Sequence, residues 1–298
     1  MFLKPKPEKP EIQNSNWRNI MISLLTNKQS LSAQRQFNLS NLALQKSQQR
    51  LASGLRINSA KDDAAGLQIS DRMTSQINGL NQGNRNASDA IAFCQTTEGA
   101  LDEVTEMLQK MRTLALQSAT GTNGTSERAA LQEETSELIG EITRIGSDTT
   151  FGSDFAMLSS AKNGQTVKFQ VGSNSGQTID LELKSVLEMC KSGETNLADL
   201  DLSTEAGANS MITAVDAMIK NVDSYRSTLG AKQNRLESTI RNQSNVIENV
   251  SDARSRIRDT DYATESANLT AAQVQQQAVT AMLSQANQSS SIVLSLLG

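Results

Sequence analysis

The sequence predicts a mainly α protein: an elongated antiparallel helical bundle or coiled coil with paired N- and C-terminal helices and a small central β-hairpin. Three observations carry this. Apolar residues recur in alternating steps of three and four toward both ends of the 298-residue chain, the heptad signature of helices packed along a narrow seam. All 3 prolines, Pro5, Pro7 and Pro10, lie near the start. No later position therefore carries the ~3 kcal/mol or more that proline costs a helix interior. A single stretch near the middle alternates with period two instead.

Residues 1–20 hold every proline and the only tryptophan, Trp17, and lack the apolar core of a signal peptide. Two readings stay open there: a disordered tail, or a start assigned too early, with Met21 as the initiator. From Leu31 to Leu51 a seam runs through Ala33, Phe37, Ser40, Leu44, Ser47 and Leu51, and Ser53-Gly54 ends it. A second helical pattern covers about 66–119, with Met73, Ile77, Leu80, Ala87, Ile91, Cys94, Leu101, Leu108 and Ala115 on one side. The loop 120–126 separates it from a shorter helix near 127–145, seamed by Leu131, Leu138, Ile142 and Ile145.

Then the period changes. Val167, Phe169 and Val171 alternate with polar residues, 172–176 reads as a turn, and Ile179, Leu181 and Leu183 alternate again. This predicts a hairpin near 165–184. Helix returns at about Glu205 and continues beyond Ile257, seamed by Met211, Val215, Met218, Val222, Tyr225, Leu229, Leu236 and Gln243. Its length would be roughly 75 Å. The last segment has the strictest seam: Leu269, Ala272, Gln276, Val279, Leu283, Ala286, Ser290, Val293 and Leu297.

Composition excludes several classes. With His at 0 there is no Ser-His-Asp or Cys-His catalysis and no His-ligated metal. Cys is 2, too few for a disulfide framework or an all-cysteine zinc site. Lys+Arg 28 against Asp+Glu 32 gives −4, which offers no basic excess for nucleic acid. Hydrophobic residues at 37% and aromatics at 3% would fill a broad two-sheet core poorly. No apolar run approaches the ~18 residues of a membrane span. The sequence therefore calls for no cofactor, catalytic residue, metal, nucleic acid or membrane insertion.

Adjacent carboxylates Asp62-Asp63 and Glu133-Glu134 point about 100° apart on a helix, so neither pair converges on a site by itself. They read as solvated faces or caps. Asp259 and Asp261, beside Arg256 and Arg258, read as surface or inter-subunit ion pairs. Cys94 and Cys190 read as free thiols. The terminal seams carry Ser40, Ser47, Gln276 and Ser290 where a freestanding pair would carry Leu or Ile. Two readings follow: an ordinary intramolecular coiled coil, or helices marginal alone and completed by neighbouring subunits.

Specific runs narrow the choice: LASGLRINSAKDDAAGLQISDRM at 51–73, LGAKQNRLESTIRN at 229–242, IRDTDYATESANL at 257–269 and ANQSSSIVLSLLG at 286–298. Together with the start at Met21-Ile-Ser-Leu-Leu, these resemble bacterial flagellin, the filament subunit of the flagellum, across essentially all of 21–298. Thr149–Asp154 stands where many flagellins have Phe-Asn-Gly, and Ser290 stands where the family usually has Pro. A hook–filament junction protein would lack the LRINSAKDDAAG run, and an enzyme would need a larger central insert.

The resemblance implies a non-catalytic, self-assembling subunit, secreted through the flagellar export channel into an extracellular helical homopolymer for swimming. It implies an inner filament-core domain of residues 21–62 and 257–298. Phe37, Leu44, Leu51, Leu269, Val279, Leu283, Val293 and Leu297 would pack there. A helical rod domain of 63–256 would bear the hairpin, and with only about 60 central residues the variable outer domains would be missing. Implied partners are a flagellar export chaperone, the filament cap and the hook–filament junction proteins. The host Toll-like receptor that senses flagellin would contact Lys110, Leu114 and Glu134, with Thr113 where a Glu is frequent.

Overall fold

The computed structural model describes residues 26–297 except 153, 154 and 194, with side chains described as far as 288. The expectations for residues 1–20, for Met21 and for the side chains of Ser290, Val293 and Leu297 lie outside these. The helices are α1 (Lys28–Ser53), α2 (Ala64–Ser118), α3 (Thr125–Asp148), the short α4 (Val186–Met189), α5 (Glu205–Arg258) and α6 (Tyr262–Leu297). The strands are β1 (Thr150–Phe151), β2 (Phe155–Ala156), β3 (Thr166–Gln170) and β4 (Thr178–Glu182). Two compact units result. One combines the described residues up to Ala64 with those from Ile257 onward; the other is Ala65–Arg256.

The first unit is an antiparallel pair of α1 and α6. Asn27 caps α1, its side chain accepting from the Ser30 N–H at 3.0 Å. Gly54 closes the helix at φ 71, with its N–H bonded to the Arg50 carbonyl, the left-handed stop that glycine adopts without steric cost. The long C-terminal helical pattern is interrupted at Asp259–Asp261. The Thr260 N–H bonds the Gly54 carbonyl at 2.9 Å, and Asp261 accepts from the Ala263 N–H at 3.0 Å and the Thr264 hydroxyl at 2.6 Å. Asp261 thus caps the start of α6, and Asp259 pairs through its backbone with Leu55. Arg256 pairs with Asp252 within α5.

In the second unit α2, with 55 residues, and α5, with 54, are each about 80 Å long. Their cross-links run in opposite directions: Arg112 to Asp216, Asp102 to Arg226, Glu98 to Gln233 and Thr74 to Arg254. The core between them is large and apolar, with Leu101, Leu108, Met111, Met211, Met218 and Leu229 fully buried. Helix α3 and the segment 149–204 cover a further side of this pair. Gln132 joins them by donating to the Leu200 carbonyl and accepting from the Leu202 N–H.

The expected hairpin is β3–β4, antiparallel, with Thr166 opposite Glu182 and Gln170 opposite Thr178. A second, unanticipated pair is β1–β2, with Phe151 opposite Phe155. Two-residue strands are too short to show a period. The ring of Phe93 holds both hairpins on α2, meeting Phe151, Phe155 and Phe169 edge-on at 5.4, 5.9 and 5.8 Å. The chain just beyond β3 then lies directly on α2 over Gly79 and Gly83. A Cβ on Gly83 would stand 2.1 Å from the Val171 carbonyl oxygen, and one on Gly79 would stand 2.8 Å from Ser173 Cβ. Gln243 of α5 donates to that same carbonyl, and Asn86 donates to Gln170 O at 2.8 Å.

Candidate assembly surface

Along α1 the seam positions Ala33, Phe37, Leu44 and Leu51 are half-buried, while Ser40 and Ser47 are buried. On α6 the matching positions are Glu265, Ala272, Val279 and Ala286, all buried, with Leu269, Gln276 and Leu283 half-buried between them. The pair is thus closest where its side chains are smallest, and the larger residues lie at its margins. Polar contacts run its length: Asn27 Nδ2 donates to Ala286 O at 2.8 Å, Ser40 Oγ to Ala272 O at 3.2 Å, and Arg50 faces Glu265 at 3.4 Å. Burial alone would raise the pKa of Glu265. The Ser47 hydroxyl and the Arg50 charge outweigh it and hold the carboxyl below its ordinary value.

Outside the seam the same two helices expose Leu31, Leu39 and Leu42 on α1 and Val274 and Met282 on α6, each more than half accessible. On α1, steps of eight and three put these leucines on one face. Each set lies on the side of its helix turned away from the shared seam, so these outward faces have no cover among the described residues of the unit.

The three residues expected at a receptor surface separate. Lys110 Nζ and Glu134 Oε1 are 2.8 Å apart, both exposed, linking α2 to α3. Leu114 is only 7% exposed and sits in the core. That corrects its expected role as a contact: α3 and the 149–204 segment bury a broader arc of α2 than one seam. The exposed apolar residue nearby is Leu116, which its off-seam position on α2 would have signalled.

The other candidates are structural. Asp62 accepts from the Asn58 and Ser59 N–H groups and lies 3.4 Å from Lys46. Cys94 and Cys190 are free and buried. Burial pushes their thiols up to about 11 and about 12, so neither is a reactive thiolate at neutral pH. Among the described residues no group of three acidic or cysteine side chains could hold a metal, and no helix is long and apolar enough to cross a membrane.

Comparison with known proteins agrees at both ends of the chain. The family described as the bacterial flagellin N-terminal helical region matches residues 24–162, and the bacterial flagellin C-terminal helical region matches 212–297. A flagellin of Halalkalibacterium halodurans is 47% identical over 253 residues, spanning 85% of this chain and 91% of its own. Flagellin B of Vibrio cholerae is 36% identical, with 93% of this chain and 100% of its own covered. Among solved structures, Bacillus cereus flagellin is 31% identical over 53% of this chain and 88% of its own, with a TM-score of 0.46. A putative flagellar hook-associated protein of Vibrio parahaemolyticus, 18% identical, shares the fold at a TM-score of 0.54 over 66% of this chain and 100% of its own. A pair of small-residue helix seams, an uncovered apolar face and these matches at both termini thus place the chain in the bacterial flagellin family: a structural, non-enzymatic subunit that self-assembles into the exported flagellar filament.

Proposed function

We propose that residues 21–62 and 257–298 form the inner wall of the filament and that 63–256 form the surrounding rod. The observation behind this is the outward apolar surface of the helix pair, with Leu31, Leu39 and Leu42 exposed on α1 and Val274 and Met282 exposed on α6. Neighbouring copies would cover it. A contact between unlike surfaces whose rotation does not close builds a helical polymer. Segment 149–204 leaves little room for outer domains, which favours a thin, comparatively smooth filament. On the route to it, an export chaperone would hold the terminal segments, and the cap and hook–filament junction proteins would meet the same helices at the filament's two ends. Seeded polymerisation of Leu39→Asp with Leu42→Asp tests the wall assignment. Filament growth at the wild-type rate would refute it.

A host flagellin-sensing Toll-like receptor would read the exposed Lys110–Glu134 pair and Leu116, with Leu114 supporting α2 from beneath. Lys110→Ala with Glu134→Ala should weaken receptor activation by monomer at least tenfold while the circular dichroism melt stays unchanged. Equal activation would remove these residues from the contact.

A further inference from the structure

We propose that the Arg50–Glu265 pair is the register key of the α1–α6 seam: it selects one alignment of two helices whose remaining pattern permits several. This rests on the assembly role proposed above and adds what decides how that surface is presented.

The remaining seam repeats with period seven on both helices. On α1, Phe37, Leu44 and Leu51 alternate with Ser40 and Ser47, so a shift of seven residues lays leucine over phenylalanine and serine over serine. On α6, Ala272, Val279 and Ala286 recur at one position and Leu269, Gln276 and Leu283 at the other. A one-heptad slip would therefore keep a seam of similar size. The bonds from Asn27 and Ser40, and those that Thr260 and Arg56 make where the two segments meet beyond Gly54, end on backbone carbonyls, which every residue offers, and the exposed Ser30–Asn287 bond would find Thr280 one heptad away, so they hold a register without choosing it.

The charged pair is different. Glu265 is the only residue of α6 that carries a charge at neutral pH, and it is buried on the seam. Arg50 lies 3.4 Å away with its side chain 23% exposed, and Ser47 and Asn268 complete the carboxylate's bonding. Slipping α6 by seven residues one way carries Glu265 to Ser40, buried on the seam without its cation, and slipping it the other way sets Ala272 before Arg50 and carries Glu265 past Gly54 at the end of α1. Removing one partner of a buried pair is strongly unfavourable, whereas replacing both by apolar residues is often neutral. Specifying register is the best-attested use of such a buried polar group. A wrong register would also rotate and displace the exposed leucines relative to Val274 and Met282, spoiling the face a neighbouring copy must meet.

The test uses cysteine pairs in seeded full-length filaments. Ser40→Cys with Ala272→Cys reports the observed register. Ser40→Cys with Val279→Cys, and Ala33→Cys with Ala272→Cys, report one-heptad slips in the two directions. With the native pair, disulfide should form efficiently only in the first. In Arg50→Met with Glu265→Met, cross-linking at a slipped pair should rise at least fivefold. The swap Arg50→Glu with Glu265→Arg should return it to the first pair. An apolar variant that still cross-links only at Ser40→Cys with Ala272→Cys would overturn the proposal, as would a swap that stays slipped. A native-pair filament with no cross-link at any position would instead reject the intramolecular α1–α6 seam within the wall, a separate failure.

Discussion

The two units bury opposite kinds of residue. Between α2 and α5 the fully covered side chains are large: Leu101, Leu108, Met111, Met218 and Leu229. Between α1 and α6 they are Ser40, Ser47, Ala272, Ala286 and Glu265, with Val279 as the one branched aliphatic among them. At about 25 cal/mol for each Å² of apolar surface removed from water, the first core sustains a fold and the second contributes little. The second unit therefore carries its own stability, whereas the first, on the assembly reading proposed above, is completed by neighbouring copies. Isolated helices gain most of their stability from tertiary packing, and α1 with α6 obtains only part of that from itself.

This contrast can be broken by mutation. Leu283→Asp introduces a charge beside the α1–α6 seam, and burying it in an assembled wall would cost several kcal/mol. Polymerisation should be abolished while the melting of the second unit moves by less than about 0.5 kcal/mol. A matching loss in the melt would show that the two units share one core. Leu101→Ala does the reverse. It should cost the monomer about 2–5 kcal/mol in denaturant unfolding, and limited proteolysis should then cut α2 and α5 about as readily as α1 and α6. In the unmutated monomer the terminal helices should be cut first; equal resistance would mean that α1 and α6 are already stable alone.

A smaller effect sharpens the account of the second unit. Gly83→Ala places a methyl where 2.1 Å now separates that position from the Val171 oxygen. The expected cost is about 1–3 kcal/mol, with hydrogen exchange rising first in β3 and β4. An unchanged melt would show that the hairpin docks without that close approach. The smallest effect is on pH. The Thr264 hydroxyl and the Ala263 N–H hold the Asp261 carboxyl below its ordinary value. A depressed carboxylate stabilises the fold fully above its unfolded pKa, and that contribution is lost as pH falls through the folded one. Filaments should therefore be insensitive to this group between about pH 6 and 8 and loosen at α6 only below about pH 4. Asp261→Asn should remove that acid dependence in filament turbidity while keeping the cap; an identical acid profile would assign it to other carboxylates.

Much of this was legible in residue order. The seams of α2 and α5 appeared as heptads because helix periodicity is local, and Leu101, Leu108, Met218 and Leu229 are buried where that period puts them. The alternation from Val167 to Leu183 located β3 and β4, and the runs at 51–73 and 257–269 pointed to the flagellin family. The candidate surface was only half legible. The seam residues were identifiable, but not that the small ones would be the most covered, nor that Leu114 would be buried in the core of the second unit.

What the sequence determined by itself is the long helices, the β3–β4 hairpin and the family, since each is written in spacings of a few residues or in contiguous motifs. The tertiary structure alone decided the rest. Gly79 and Gly83 receive a chain nearly ninety residues away, Phe93 gathers rings from two hairpins, and Glu265 finds Arg50 across a separation of 215. A glycine, a phenylalanine and a glutamate look alike at any position until a distant backbone arrives beside them. The loss of water and the fit of charge that give them meaning exist only between segments that the sequence keeps apart.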